Sequence, residues 1–280
     1  LGLLAASLLS VPSLAQVRTP QASGTTVFSN GSAVIDASNA SQGYVMVKYS
    51  GGTSRIKVRI SKGTEYTYDL NTAGNYEVFP LTEGSGTYTI KVFQQVQGTS
   101  YAQVMSQTVT ANIADSQSPF LYPNQFCNFN ANSAVVAKAA ELTGGISDPL
   151  AKVQAVYRYV IDHISYDYQK AASVQSGYLP VPDAALASGK GICFDYAAVM
   201  TSMLRSQDIP TKLVIGYTGG TYHAWVSVYL TGQGWVDNII YFDGTNWRYM
   251  DPTFASSGKG DAAVSNYISN QANYQAKFTY

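Results

Sequence analysis

The stretch Gly-Lys-Gly-Ile-Cys-Phe-Asp-Tyr-Ala-Ala-Val-Met, residues 189–200, places Cys193 behind a Gly-Lys-Gly turn and at the start of a predicted helix. A thiol at a helix N-terminus faces backbone N–H groups without helical partners and the positive end of the helix dipole. Both features favour the thiolate, so the position predicts a thiol pKa below the usual value of about 8.5. The same N–H groups can stabilise the oxyanion that forms when a thiolate attacks a carbonyl. A buried structural cysteine is the alternative, and position alone does not exclude it.

Two further residues could complete a catalytic group with this thiol. His223 stands in Thr-Tyr-His-Ala-Trp-Val, at the start of an alternating strand that follows two glycines. Asp251 opens Asp-Pro-Thr at the end of a neighbouring predicted strand. An ionised Asp can accept the imidazole N–H and fix its tautomer, as in a Cys-His-Asp arrangement. A core histidine without a chemical role is the alternative for His223.

Four segments carry a resemblance to a known family. They are Gly-Lys-Gly-Ile-Cys-Phe-Asp-Tyr-Ala, Ile-Pro-Thr-Lys-Leu-Val-Ile-Gly-Tyr, Tyr-His-Ala-Trp-Val-Ser-Val and Trp-Arg-Tyr-Met-Asp-Pro-Thr. In this order they resemble the transglutaminase-like superfamily of papain-like thiol enzymes, in an exported bacterial form, over residues 133–254. The resemblance implies that Cys193 is the nucleophile, His223 the general base and acid, and Asp251 the orienting carboxylate.

The resemblance also suggests where a substrate would bind. Tyr217 and Trp225 match positions near the family's catalytic cleft, and the resemblance implies that they shape it. Gln175 and Tyr178, in a long polar segment before the Cys193 helix, are predicted to line the same cleft. The sequence does not identify a second oxyanion donor, and Gln175 and Tyr178 are its candidates. An additional strand-like piece at 234–242 separates the His strand from the Asp strand and departs from the family pattern.

Periodicity divides the chain into two domains. Residues 25–113 contain short alternating runs such as Arg-Ile-Lys-Val-Arg-Ile at 55–60, which predict an all-β, immunoglobulin-like sandwich. This region has no histidine and no acidic cluster, so it is predicted to be a spacer or binding module that folds independently. Residues 114–130 are predicted to be a linker. Residues 131–280 are predicted to form an α+β, papain-like domain with an antiparallel sheet.

Within the second domain, the pattern changes to a helical period. A helix is predicted over 134–142, and a second one, capped by Ser147 or Asp148, carries an apolar stripe from Val153 to Ile164. The segment 166–191 is predicted to be a long loop without secondary structure, of a length that is often functional. After the Cys193 helix, strands are predicted over 212–217, 222–230, 234–242 and 247–250.

Composition and the first residues predict export. The 280 residues include 17 Lys and Arg and 17 Asp and Glu, so no net field attracts nucleic acid. Charged residues make up only 12% of the chain, which together with 22 Tyr suits a secreted β-rich protein. Residues 1–15 resemble part of a cleaved signal peptide. We therefore expect a secreted or cell-surface protein that does not span the membrane.

Cysteine and histidine are too sparse to predict a metal centre. The two cysteines, Cys127 and Cys193, and the two histidines, His163 and His223, are far apart in the sequence. No metal and no cofactor is predicted. The sequence leaves open whether the two cysteines pair, and His163 is predicted to be a packing residue.

Two classes of function remain. The first is an exported cysteine acyltransferase or peptidase acting on protein or peptide amides through a thioester, with cell-wall peptides as one substrate class suggested by analogy. Transfer to lysine and hydrolysis by water use the same three residues, so the sequence does not decide between them. The second is a catalytically inactive transglutaminase-like scaffold with a β-sandwich binding module at the cell surface. A third interpretation, an adhesive or carbohydrate-binding module, is supported only by the number of tyrosines. The sequence does not predict the oligomeric state.

Overall fold

The computed structural model describes most of the chain, comprising residues 17–218, 220–242, 247–249 and 274–280. The predicted signal peptide at 1–15 and Asp251 lie outside these residues. So does Asp243-Gly244, which the sequence predicts to be the hairpin turn between the strands at 234–242 and 247–250. In this described part of the chain, no helix has the length and apolar character needed to cross a membrane.

Eight strands in the N-terminal region form two antiparallel sheets, with the orders β1-β2-β3-β6 and β5-β4-β7-β8. Along β4, Ile56, Val58 and Ile60 are buried while Lys57 and Arg59 are half-buried, as the alternating pattern predicts. Two four-stranded sheets are thus present. We use the name sandwich for this two-sheet region, residues 27–111, and its immunoglobulin-like topology stays a prediction. The strands are β1 (Val27–Ser29), β2 (Ala33–Asp36), β3 (Tyr44–Tyr49), β4 (Ile56–Ser61), β5 (Glu65–Leu70), β6 (Glu77–Pro80), β7 (Gly86–Gln97) and β8 (Ser100–Ala111).

The segment predicted to be a linker is largely buried. A short 3-10 helix covers Ser118–Phe120, and all three of its residues are buried. Phe126 and Cys127 are also buried further along. The Ser, Pro and Gln residues of this segment suggest a solvated linker. Its aromatic side chains are nevertheless stabilised by burial, because burial removes their apolar surface from water. It therefore packs between the two regions of the molecule.

Five helices follow among the described residues, and two of them lie in the segment that was predicted to have no secondary structure. The helices are α1 (Ala134–Thr143), α2 (Pro149–His163), α3 (Tyr168–Ser173), α4 (Pro182–Ser188) and α5 (Cys193–Ser206). Asp148 caps α2 by accepting a hydrogen bond from Ala151 N at 2.8 Å, as expected. The prediction for 166–191 is wrong, because α3 and α4 occupy much of that segment.

Local capping explains these two short helices. The Asp167 carboxylate accepts from Lys170 N at 2.9 Å and begins α3. Pro182 occupies the first turn of α4, and Gly189, in the left-handed region at φ 62°, ends it. The ends of the segment are joined by a parallel pair, β9 (Ser165–Tyr166) and β10 (Lys190–Gly191). Asp167, Pro182 and Gly189 were thus available signals, but neither helix is long enough to show a helical period.

A five-stranded antiparallel sheet completes the fold, in the order β14-β13-β12-β11-β15. Four of its strands match the predicted runs, whereas β15 was not predicted. The additional piece at 234–242 is β13, which pairs with both β12 and β14. It therefore lies between the His223 strand and the strand that precedes Asp251. The strands are β11 (Thr211–Thr218), β12 (Thr221–Leu230), β13 (Gly234–Phe242), β14 (Trp247–Tyr249) and β15 (Tyr274–Thr279).

The two regions share a hydrophobic core. One cluster of buried side chains runs from both N-terminal sheets to α5 and the five-stranded sheet. Tyr280, at the chain end, packs its ring centroid 5.9 Å from that of Tyr68 on β5 and 4.0 Å from that of Phe126. The sandwich is therefore held against the second region by buried aromatic contacts rather than joined to it by a solvated connection.

Candidate active site

Cys193 is the first residue of α5, and a tight backbone turn precedes it. Ile192 is the N-cap in an extended conformation, and the Asp195 carboxylate accepts from Ile192 N at 2.9 Å. A Cβ at Gly191 would lie 2.6 Å from the Asp195 Cβ, so only glycine permits this approach. The Gly-Lys-Gly turn thus brings the thiol to a helix N-terminus, as predicted.

The thiol environment differs from the expected one. Burial raises the pKa of the Cys193 thiol, backbone N–H groups of Ala224 and Phe194 oppose the rise, and the Asp195 charge adds to it. The prediction of a lowered pKa is therefore wrong, because loss of water outweighs the hydrogen bonds at the helix N-terminus. The direction of the shift favours the protonated thiol at neutral pH.

Asp195 is the centre of a buried polar network below Cys193. The residue is 1% exposed. Its carboxylate accepts from Lys170 Nζ at 2.7 Å and from the Tyr178 hydroxyl at 2.5 Å. Lys170 Nζ also donates to the Tyr178 hydroxyl. The sequence predicts for Asp195 only a favourable interaction of its charge with the helix N-terminus. In the structure, its network also ties α3 and the following loop to the first turn of the Cys193 helix.

His223 lies near the start of β12, opposite Gly216 on β11. The residue is 9% exposed, and burial lowers its pKa from 6.5 to about 4. A Cβ at Gly216 would lie 2.9 Å from the Trp225 ring and 2.0 Å from the Gln275 carbonyl oxygen, so glycine is required beside the histidine. The imidazole is therefore neutral at pH 7, which is the form a general base requires.

Cys193 and His223 line one cavity of about 1050 Å³. Two of the predicted cleft residues, Gln175 and Tyr178, line the same cavity. The Tyr178 hydroxyl donates its hydrogen bond to Asp195, so this O–H is already engaged. The structure thus brings together four of the predicted site residues.

The other two predicted cleft residues lie on the sheet beside this cavity. Trp225 is 2% exposed, with its ring centroid 5.4 Å from that of Tyr274. Tyr217 is exposed, and its ring centroid lies 5.4 Å from that of Tyr222, which lines the cavity. Tyr217 thus contacts a residue of the cavity lining, whereas Tyr274, the ring partner of Trp225, is not part of that lining. The influence of both side chains on the shape of the cavity stays a prediction. Asp251 lies outside the described residues, so its role stays a prediction as well.

A wall of the cavity comes from the N-terminal sandwich, where no chemistry was expected. The residues are Arg55, Lys57, Glu65, Thr67 and Asp69, on or beside β4 and β5. Alternation along these strands indicates only that such side chains face away from the sandwich core. No signal in the sequence indicates that this face turns towards Cys193.

The remaining cysteine and histidine lie away from the cavity. Both cysteines are free, which answers the question of pairing. Cys127 is buried, with its sulfur 3.3 Å from Arg205 Nη1. His163, at the end of α2, stacks on Tyr159 with ring centroids 5.0 Å apart and its Nε2 lies 2.8 Å from the Leu186 carbonyl oxygen. These positions assign local packing to His163.

The family comparison covers the helices and sheet that hold the thiol and the imidazole. The sequence model described as "transglutaminase-like superfamily" matches residues 136–252, somewhat less than half of the chain. Residues 136–252 belong to the transglutaminase-like superfamily. The matched span contains Cys193, His223 and Asp251.

Related proteins extend the comparison. YebA of Bacillus subtilis, an uncharacterized protein, is 25% identical over 237 residues, which cover 78% of this chain and 29% of YebA. A protein-glutamine gamma-glutamyltransferase of Pseudomonas aeruginosa is 30% identical over 122 residues, 38% of this chain and 18% of the relative. The chain thus spans less than a third of either protein. The periplasmic domain of TgpA from P. aeruginosa superposes with a TM-score of 0.35 at 15% identity, covering 87% of this chain and 99% of that domain.

Proposed function

We propose that the protein is an exported cysteine enzyme that acts on amide carbonyls of proteins or peptides through a thioester. One observation carries this proposal: Cys193 and His223, from separate elements of a transglutaminase-like region, line the same cavity. The backbone N–H of Ala224, the neighbour of His223, also helps to lower the pKa of the Cys193 thiol, so the histidine strand lies close to the nucleophile.

The electrostatics favour a neutral pair rather than a preformed ion pair. Burial raises the pKa of Cys193 and lowers that of His223 to about 4, so both groups are uncharged near pH 7. His223 would therefore remove the thiol proton as the sulfur attacks the carbonyl carbon. Backbone N–H groups in the first turn of α5 are the donors we assign to the developing oxyanion.

The reaction then proceeds in two halves. His223 returns its proton to the departing amine as the carbon–nitrogen bond breaks, leaving the acyl group on Cys193 as a thioester. An acceptor, either an amine or water, loses a proton to His223 and attacks the thioester carbonyl, which releases the thiol. Asp251 is proposed to accept the second imidazole N–H and hold the ring in the tautomer that this exchange requires.

The acceptor and the location are parts of the same proposal. The name of the P. aeruginosa relative, a protein-glutamine gamma-glutamyltransferase, supports transfer to an amine as the first activity to test. The polar composition and the signal-like first residues support a secreted or cell-surface location, where proteins and cell-wall peptides are accessible substrates. Hydrolysis of the same thioester would make the protein a peptidase or amidase.

The test compares products on one substrate panel. Incorporation of a labelled amine, release of ammonia and peptide cleavage should be measured with glutamine-containing peptides for the wild type and for Cys193→Ala, His223→Ala and Asp251→Ala. Each variant should lose activity by orders of magnitude while circular dichroism shows an intact fold. Cys127→Ala is the control and should keep full activity. Full activity in His223→Ala would contradict the proposal, and absence of both turnover and Cys193 labelling in the wild type would favour the inactive scaffold.

A further inference from the structure

The sandwich contributes a charged patch to the cavity that the proposed chemistry does not use. We call Arg55, Lys57 and Asp69 the sandwich wall. Lys57 on β4 pairs directly across the ladder with Asp69 on β5, and Arg55 immediately precedes β4. All three residues line the cavity that also contains Cys193 and His223.

The sandwich wall carries one surplus positive charge. Arg55 donates to Asp69 from Nε at 3.0 Å and from Nη2 at 2.7 Å, and Lys57 Nζ donates to the same carboxylate at 3.0 Å. Two cations therefore share one anion. Glu65, the other acid of the lining, lies 3.4 Å from Arg59, which balances its charge. With Glu65 paired to Arg59, the remaining charges are those of Arg55 and Lys57 against Asp69, which leaves one positive charge in excess.

Both cations can be reached from the cavity. The side chains of Arg55 and Lys57 are 53% and 25% exposed, whereas Asp69 is 20% exposed beneath them. Gly177, in the loop between α3 and α4, lies against the pair: a Cβ there would be 3.7 Å from both Arg55 Nη2 and Asp69 Oδ2. The sandwich wall and the loop that follows α3 therefore bound the same space.

We propose that the sandwich wall is an anion subsite that binds a carboxylate of the peptide substrate, either an acidic side chain or a chain terminus. The inference rests on the proposed function, which supplies a peptide in the cavity. Lys57 has three N–H donors, and Asp69 occupies one of them, so a substrate carboxylate can accept another. The acid neutralises the surplus charge in a partly enclosed site, where a charge-assisted hydrogen bond is strongest. The subsite thus gives the sandwich a part in selecting substrates.

The test measures binding without turnover. Dansyl-labelled heptapeptides with one central glutamine are titrated into full-length Cys193→Ala, with a single glutamate moved through the other positions and an amidated or free C-terminus. At one or more positions, glutamate should bind about threefold to tenfold more tightly than its glutamine isostere at low salt. A free carboxyl end that alone gives this preference would identify the terminus as the ligand.

Matched variants separate recognition from structural support. Adding Lys57→Gln should abolish the preference because the remaining Arg55–Asp69 pair is neutral. Adding Asp69→Asn should increase it, since two cations then face the cavity, whereas a purely structural role predicts weaker binding in both variants. Lys91→Gln, on β7 outside the cavity lining, removes the same charge and should leave the preference unchanged.

Two results would overturn the subsite, namely equal affinity for glutamate and glutamine peptides at every position, or a preference that survives Lys57→Gln. Because the readout is affinity, either result can be distinguished from failure of the catalytic proposal, which is measured by wild-type turnover and thiol labelling.

Discussion

Each end of α5 lies at a cysteine and a buried charged side chain, but one cysteine lines the cavity and the other is buried in the core. At the N-terminal end, Cys193 lines the cavity, and the buried carboxylate of Asp195 binds Lys170 and Tyr178. At the C-terminal end, Cys127 is sealed in the core beside the buried guanidinium of Arg205. The negative charge of Asp195 near the N-terminus and the positive charge of Arg205 near the C-terminus both interact favourably with the helix dipole. One helix thus presents a thiol to the cavity at one end and anchors the core at the other.

The comparison shows that access, rather than thiol acidity, separates the two cysteines. Burial raises the pKa of both thiols, and at Cys127 the Arg205 charge opposes the rise. Only Cys193 is partly exposed, whereas Cys127 is completely buried. A reactive cysteine in this protein is therefore one that a carbonyl can approach while a base lies in the same cavity.

The largest expected difference is in alkylation. Iodoacetamide at pH 8 should modify Cys193 in the native protein about a hundredfold faster than Cys127, because reaching Cys127 requires an opening of the core that costs ~3 kcal/mol or more. Peptide mapping by mass spectrometry measures both rates. Cys127→Ala should leave the fast phase unchanged, and Cys193→Ala should remove it. Comparable rates at the two sites would contradict the comparison.

Arg205 should matter most for stability. Its guanidinium donates to the carbonyl oxygens of Tyr122 at 2.6 Å, Thr211 at 2.7 Å and Tyr280 at 2.7 Å. Arg205→Met leaves these buried acceptors without donors, so the free energy of unfolding should fall by about 3–4 kcal/mol. Urea denaturation measures it. Arg18→Met is the control: it removes an exposed ion pair to Asp208 and a cation–π contact with the Tyr122 ring, and should cost about 1 kcal/mol. Equal losses in the two variants would show that the buried hydrogen bonds of Arg205 add no stability beyond that of surface contacts.

At the other end of α5, a smaller loss is expected from Tyr178→Phe. The change removes only the hydroxyl that donates to Asp195, and the ring stays against Phe194 with centroids 6.3 Å apart. A lost hydrogen bond to a buried carboxylate should lower the free energy of unfolding by about 2 kcal/mol. Tyr168→Phe changes a ring that is 76% exposed and should have no measurable effect. Equal stability of both variants would mean that the Asp195 network does not need this donor.

The smallest expected effect, taken per pH unit, is a change in the free energy of unfolding with pH. It arises from His223, which lines the cavity at the N-terminal end of α5. The pKa of His223 is about 4 in the folded protein and 6.5 ordinarily, so between these values the unfolded chain binds a proton that the folded chain does not. The free energy of unfolding should therefore fall as pH drops from 6.5 towards 4, by at most about 1.4 kcal/mol per pH unit. Arg205 stays charged throughout and adds no such slope.

Urea unfolding at several pH values, in wild type and His223→Gln, isolates the histidine contribution. The difference between the two proteins should grow with pH from 4 to 6.5 and then level off. A constant difference would show that His223 titrates alike in both states.

Much of the second region could be predicted because its signals are local. The alternation around His223 gave β12, and the Asp148 cap with the apolar stripe gave α2. The helices α3 and α4 were missed since each spans two turns or fewer and shows no helical period. β15 was missed because its pairing partner, β11, lies more than fifty residues earlier in the chain.

The sequence by itself determined the residue types of the site and the helix start that presents Cys193, because motifs, caps and strand alternation act over a few neighbouring residues. Only the tertiary structure decided the protonation of the thiol and the composition of the cavity. The pKa of Cys193 depends on how much water its surroundings exclude. The sandwich wall lines the same cavity as Cys193 because β5 packs against Phe278 and Tyr280. Both depend on contacts between residues distant in the chain, which local sequence patterns do not encode.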